Sequence, residues 1–174
     1  YLLIEEVVVP VCHPDLLNSG REVLSPSDLT QFPFLFGRTS LPGEGFPSWE
    51  KWFRWAGLDA SPLPVAIAFD HHLMTVQAAL EGQGMALAKR SIVMTDLIRG
   101  NLVQPLDVAY PLAFSHFLVH RSESPWMECF GTLRLWFERE LALSLRDIPT
   151  PPSLDNNDLD GPQATSPRTT RISE

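Results

Sequence analysis

The stretch "FDHHLMTVQAALEGQGMALAKRSIVMTDLIRGNLVQPL", residues 69–106, decides the fold class, because its hydrophobic period changes along its length. The run leading into it, "LPVAIAF" (63–69), is apolar and reads as a strand. From Asp70 the period becomes 3.6, with Leu73, Val76 and Leu80 on one line and Met74 and Ala78 beside it, which predicts a helix. "GMALAK" then reads as a strand, "SIVMTDLIRG" as a helix and "NLVQPL" as a short strand. Strands alternating with helices predict βαβ units, a largely parallel sheet and an α/β fold.

The chemistry of this stretch is narrower than its composition suggests. A strand that runs straight into a helix puts Phe69-Asp70-His71-His72 at the carboxyl end of the strand, the edge where open α/β sheets bind ligands. Neighbouring helical side chains diverge by about 100°, so His71 and His72 do not converge on a metal, and the HExxH spacing is missing. As polar groups at a helix N-terminus, where N–H groups and the dipole favour an anion, they are candidate ligand contacts. The alternative is that at least one of them only faces solvent. Gly82 and Gly84 do not form a dinucleotide loop: Leu87 stands where the third glycine is needed, and the pair follows a helix instead of opening one. They predict a tight helix-to-strand turn that requires positive φ and close backbone approach.

Upstream, residues 4–12 read as a buried strand, with Pro10 marking its end or an edge position. In "LSPSDL", Ser25 as N-cap, Pro26 at N1 and Asp28 three residues after the cap predict a short helix; "FPFLF" follows as a strand. "GRTSLPGEGFPS" is loop-like. Ser48 then caps a helix whose Trp49, Trp52, Phe53 and Ala56 fall on one face, stopped by Gly57. That spacing favours core packing over an aromatic ligand box. Downstream, "LAFSHFLVH" (112–120) reads as a strand. Ser124 caps and Pro125 opens a long helix with Trp126, Phe130, Leu133, Phe137 and Leu141 as its apolar line and Glu128, Arg134, Glu138 and Arg139 in water. Residues 147–174 are proline-rich and polar, which predicts a disordered tail.

The chain has 174 residues, enough for one ordinary domain of roughly 100–200 residues. A formal net charge of −8 argues against this segment gripping nucleic acid or an anionic membrane, since phosphate binding needs clustered Lys and Arg. No apolar run approaches the roughly 18 residues of a membrane span. Cys12 and Cys129 lie far apart with no CxxC context, so inert thiols in a reducing cytosol are expected. There is no GxSxG elbow, and Cys12 beside His13 says nothing about the orientation that a Cys–His couple needs. No catalytic constellation, cofactor or metal is predicted, and the chain is expected not to be an enzyme.

The order "EEVVVPVCHPDLL", "LSPSDLTQFPFL", the tryptophan helix, "AFDHHLMTVQAALEGQGMALAKRSIVMTDLIRGNLVQPL" and "FLVHRSESPWMECFGTLRLWFEREL" resembles the effector-binding domain of LysR-type transcriptional regulators. More narrowly, it is similar to the branch of the glycine-cleavage activator and the β-lactamase regulator. The motifs are individually weak; their order and spacing over residues 2–142 carry the resemblance.

The resemblance implies a type 2 periplasmic-binding-protein-like α/β fold of two lobes, with a small-molecule effector in the cleft between them. Residues 1–10 are then a crossover strand from lobe 1, residues 11–110 the effector-binding lobe 2, and residues 111–146 the return strand and C-terminal helix of lobe 1. The winged helix-turn-helix, linker helix and first half of lobe 1 would precede Tyr1, making the chain an N-terminally truncated fragment. Cleft-lining positions map to Thr39 and Ser40, to Phe69, Asp70, His71 and His72, and to Ser115 and His116. Relatives often carry a small hydroxyl residue after the strand, and the His71-His72 pair departs from that. The implied protein is a cytoplasmic, homo-oligomeric regulator that binds an anionic, amino-acid-like or other metabolite, reaches DNA only through the winged module, and touches no membrane. A solute-binding protein of a transport system shares the fold and is the alternative; an enzyme on that scaffold would need a catalytic constellation.

Overall fold

The computed structural model describes residues 1–18, 23, 25–37, 45–58, 63, 65–121 and 123–150. In chain order the elements are β1 (Leu2–Val11), α1 (Pro14–Leu17), a 3-10 helix (Pro26–Gln31), β2 (Phe34–Gly37), α2 (Trp49–Trp55), β3 (Val65–Phe69), α3 (His72–Leu80), β4 (Ala86–Lys89), α4 (Arg90–Arg99), β5 (Tyr110–Phe117) and α5 (Met127–Arg146). The sequence signals for the Ser25 and Ser48 caps hold. The Asp28 carboxylate accepts from the Ser25 N–H and hydroxyl, both at 2.8 Å, and the Ser48 hydroxyl accepts from the Lys51 N–H at 3.3 Å.

β2 and β3 pair in parallel from Phe34↔Val65 to Gly37↔Phe69. A parallel bridge joins Phe34 to Met85, where Leu35 N–H donates to Met85 C=O and Met85 N–H to Pro33 C=O, both at 2.8 Å. β1 is antiparallel to β4 on one side and to β5 on the other. The strands thus follow the spatial order β3-β2-β4-β1-β5. The expected largely parallel sheet holds for β2, β3 and β4 and fails for the pairings of β1. β4 and β5, joined through α4, run parallel to each other, and β1 lies between them and runs against both. Pro10 lies inside β1, opposite Leu87, beyond the last β5 pairing at Val8↔Tyr110, so its missing N–H leaves no gap in a two-sided ladder.

Two apolar layers enclose the sheet. On one face Trp49, Trp52 and Phe53 of α2 pack with Phe34, Val8, Leu87 and Leu106. Trp49 sits edge-on to Phe34 at 4.6 Å and donates its indole N–H to Leu35 C=O at 3.0 Å, so these tryptophans are core and not a ligand box. On the other face Val76, Ala78 and Ala79 of α3 and Val93 and Leu97 of α4 cover Val9, Val11, Ala86 and Ala88. The glycine turn divides its work as expected: Gly82 has φ +71°, while a Cβ on Gly84 would lie 2.6 Å from Pro33 C=O. Gly84 is what lets β4 approach β2.

Several finer expectations need correction. On α3, Leu73 and Met74 are exposed, and Thr75, Val76, Ala78 and Ala79 are buried. The helix is seated by its small residues, which allow close approach to the sheet, and the Thr75 hydroxyl is satisfied by His72 C=O at 2.6 Å. "NLVQPL" is not a strand: Val103 makes one bridge to Cys12, and the Gln104 side chain bonds Leu106 C=O at 2.7 Å in a turn. β5 starts at Tyr110 and ends at Phe117. α5 begins at Met127 with Trp126 as N-cap and no side-chain cap, while the Ser124 hydroxyl accepts from Trp126 N–H at 3.3 Å. Its inward line is Phe130, Arg134, Phe137 and Leu141, all half-buried. Trp126 and Leu133 are exposed, and Arg134, expected in water, holds its guanidinium 4.9 Å from the Tyr1 ring centre. Ile148, past the helix end, packs against the α3–α4 layer, and residues 151–174 lie outside the described residues.

Candidate functional site

The register brings one edge of the sheet into focus. Gly37 and Phe69 end β2 and β3 side by side, and Lys89 ends β4 opposite Val8 of β1. Beyond that point β1 and β5 continue together as a two-stranded ribbon, pairing Glu5↔Ser115 and Ile4↔His116. The carboxyl ends of three parallel strands, the N-termini of α3 and α4 and the base of this ribbon therefore share one edge.

At the β3–α3 junction Phe69 is half-buried against the α3–α4 layer, so its ring serves packing. Asp70 and His71 are exposed, and His71 is the N-cap of α3 with extended backbone (φ −131°, ψ 137°). His72 turns the other way, as the angular separation on a helix requires. Its ring lies 3.9 Å from that of Phe46, centre to centre, and fills the space above Gly37, where a Cβ would stand 2.5 Å from Nδ1. With Ser48, Trp49 and Thr75 these residues line a cavity of about 50 Å³. The helix-start pair is thus divided: His71 faces out, and His72 is wedged between an aromatic ring and a glycine. Thr39 and Ser40 lie outside the described residues.

At the ribbon base stands a residue that the sequence reading passed over. Glu6 is 2% exposed. Its position two residues beyond the Val8↔Lys89 pair sets it level with the first turn of α4. Oε1 accepts from Val7 N–H (3.2 Å) and Ser91 N–H (3.3 Å), and Oε2 from the Ser91 hydroxyl and from His116 Nε2 (2.9 Å). Burial pushes the Glu6 pKa up, but the Ser91 hydroxyl, the His116 ring and the Ser91 and Val7 amides outweigh it, leaving the carboxyl below its ordinary value. Glu6 thereby caps α4 from 85 residues away; Lys89, the N-cap by position, makes no side-chain cap bond. The signal for Glu6 was in "IEEVVV": two adjacent acids on a strand point to opposite faces, so one of them is carried inward and needs partners.

His116 is thus bonded on one side to a buried acid while its side chain stays 49% exposed, and Ser115 is half-buried beside it. Next to this cluster Ile4, Glu6, Arg90, Ser91, Met94 and Leu141 line a cavity of about 260 Å³ between β1, α4 and α5. Among the described residues no three His, Cys, Asp or Glu side chains gather to hold a metal. Cys12 is buried, and burial pushes its thiol up to about 12; His13 Nδ1 accepts from Asp15 N–H at 3.2 Å, so the two form no nucleophile–base couple. Cys129 is exposed. No helix among the described residues is long and apolar enough to cross a membrane.

Comparison with known proteins agrees with this architecture. Residues 1–142 match the LysR substrate binding domain model. The HTH-type transcriptional regulator y4mQ of Sinorhizobium fredii is 32% identical over 141 residues, covering 73% of this chain and 44% of that protein. The glycine cleavage system transcriptional activator of Escherichia coli K12 is 28% identical over 134 residues, 77% of this chain and 42% of that protein. The solved effector domain of the transcriptional regulator AmpR of Pseudomonas aeruginosa superposes with a TM-score of 0.54 at 25% identity, covering 84% of this chain and 66% of that one. The chain spans less than half the length of the curated relatives it matches. The α/β fold is the periplasmic-binding-protein-like fold of these effector domains, and the chain belongs to the LysR substrate-binding domain family.

Proposed function

We propose that this chain is the effector-sensing part of a LysR-type transcriptional regulator, in which a small molecule held between two lobes changes how attached DNA-binding modules are presented. The family match over residues 1–142 carries the reading. In it, residues 1–10 are the crossover into the sensing lobe, residues 11–110 are that lobe, and residues 111–146 return to the other. The β1–β5 ribbon leaving the sheet at the carboxyl edge supports this division, because a paired exit and return is what a two-lobed chain requires. The half-buried inner line of α5 and its exposed Leu133, Leu135 and Trp136 suit a helix covered by the remainder of that second lobe.

The effector is read as a small metabolite touching Thr39, Ser40, Asp70, His71, His72, Ser115 and His116, with Phe69 supporting them from the core. DNA is reached through a winged helix-turn-helix module of the longer protein, in a cytoplasmic homo-oligomer. The named relatives are transcriptional regulators and not enzymes or transport proteins, which favours regulation over solute capture for export or uptake. A ligand drives such a change only if it binds the two lobe arrangements unequally. The test is calorimetric titration of the full-length protein with a metabolite found by thermal-shift screening. His71→Ala and Thr39→Ala are expected to weaken binding at least tenfold, and unchanged affinity in both would remove these residues from the site.

A further inference from the structure

The pairing of an exposed histidine with a buried acid fixes more than position. We propose that Glu6 is a positioning residue that holds the His116 ring with Nε2–H turned inward, so that Nδ1 faces the effector as a hydrogen-bond acceptor and the effector carries a donor there, an ammonium, N–H or O–H group. The effector clause rests on the reading given under Proposed function; the positioning clause does not.

Two backbone amides, Val7 N–H and Ser91 N–H, point at Oε1, and the Ser91 hydroxyl shares Oε2 with the His116 ring. An ionised carboxylate is acceptor-only, so the nitrogen 2.9 Å from Oε2 bears the proton. A neutral imidazole with a proton on Nε2 has a bare lone pair on Nδ1, and the partner of one ring nitrogen sets the role of the other. With the His116 side chain 49% exposed and that of Glu6 1% exposed, the acid is hidden behind the histidine and is read by a ligand through it. The acid on the ring is Glu6, in a chain of net −8, while Arg90 lines the cavity beside it. The first turn of α4, which would otherwise attract a ligand's carboxylate, already holds the Glu6 carboxylate. This site therefore favours a donor where a free helix N-terminus would favour an anion.

The experiment is long-range ¹H–¹⁵N correlation NMR of the full chain labelled at histidine nitrogens, at pH 8.5, above histidine's ordinary value of about 6.5. The His116 signals are assigned by their loss in His116→Asn. The expected result is the Nε2–H tautomer at His116, retained in Ser91→Ala, which removes a different bond to the same carboxylate, and lost to a mixed population in the isosteric Glu6→Gln. Cooperative melting of Glu6→Gln shows that the change is local. An Nδ1–H or doubly protonated His116, or equal tautomer populations in wild type and Glu6→Gln, overturns the positioning role. Titration with glycine ethyl ester, an ammonium without a carboxylate, and with propionate, a carboxylate without an ammonium, reads the ligand side. The first is expected to move the Nδ1 resonance and the second to leave it. The reverse order overturns the donor assignment, and so does a His116 signal that answers neither probe; the tautomer result stands apart from both.

Discussion

Gly37 and Glu6 show how single residues shape this edge. A methyl group at Gly37 would meet the His72 ring at 2.5 Å, so Gly37→Ala pushes the ring off Phe46. The expected stability loss is about 1–3 kcal/mol by overpacking, read by urea denaturation, with effector affinity falling alongside. Gly84→Ala is expected to cost at least as much, because its clash, at 2.6 Å, is with the Pro33 carbonyl and cannot be relieved by turning a side chain. Glu6 governs the acid limb of stability. The hydrogen bonds to its carboxylate hold its folded-state pKa below the ordinary value of 4.5. The contribution is therefore fully present above that value and lost as pH falls through the depressed one. Glu6→Gln should lower the melting temperature at pH 7 and narrow its difference from wild type below pH 4.5, checked by thermal scans across that range. A difference that stays constant with pH would detach Glu6 from the acid limb.

At the scale of elements, periodicity told strand from helix but not which way a strand runs or which side of a short helix is inward. The 69–106 stretch alternates as expected, because each helix there returns the chain to the same sheet. The direction of β1 was hidden because an apolar strand reads the same whichever way it runs between β4 and β5, which α4 joins in parallel. On α3 the large apolar residues do not mark the core: Leu73 is 60% exposed, while Ala79 is fully buried. Leu73→Ser is accordingly expected within ~0.5 kcal/mol of wild type, and Val76→Ala to cost ~1–3 kcal/mol, measured by chemical denaturation. A loss at Leu73→Ser as large as that at Val76→Ala would put Leu73 back on the buried line where periodicity set it. The candidate site was half legible. The strand-to-helix junction singled out His71 and His72 and the resemblance singled out Ser115 and His116, whereas Glu6 and Ser91, 85 positions apart, had no local signature beyond the paired acids.

At the scale of the whole molecule, the sheet and its two apolar layers are well closed, and the ribbon and α5 are not. Trp126, Leu135 and Trp136 stand 69%, 59% and 53% exposed, with Phe117 and Val119 near the end of the ribbon at 59% and 79%. Clustered apolar exposure of this kind drives association. The chain on its own is expected to self-associate as concentration rises, and Leu135→Lys with Trp136→Glu to reduce this without lowering the melting temperature, followed by sedimentation velocity. A monodisperse, cooperatively melting wild-type sample would show that α5 needs no cover.

The sensing role itself is tested most directly by hydrogen exchange of the full-length protein, free and saturated with a metabolite that shifts its melting temperature. Slowed exchange is expected in four segments separated in sequence and joined at the carboxyl edge: 69–75 at the start of α3, 89–92 at the start of α4, and the paired 4–7 and 115–117 of the ribbon. Exchange left unchanged in all four, or slowed in the α2 layer alone, would contradict the sensing role.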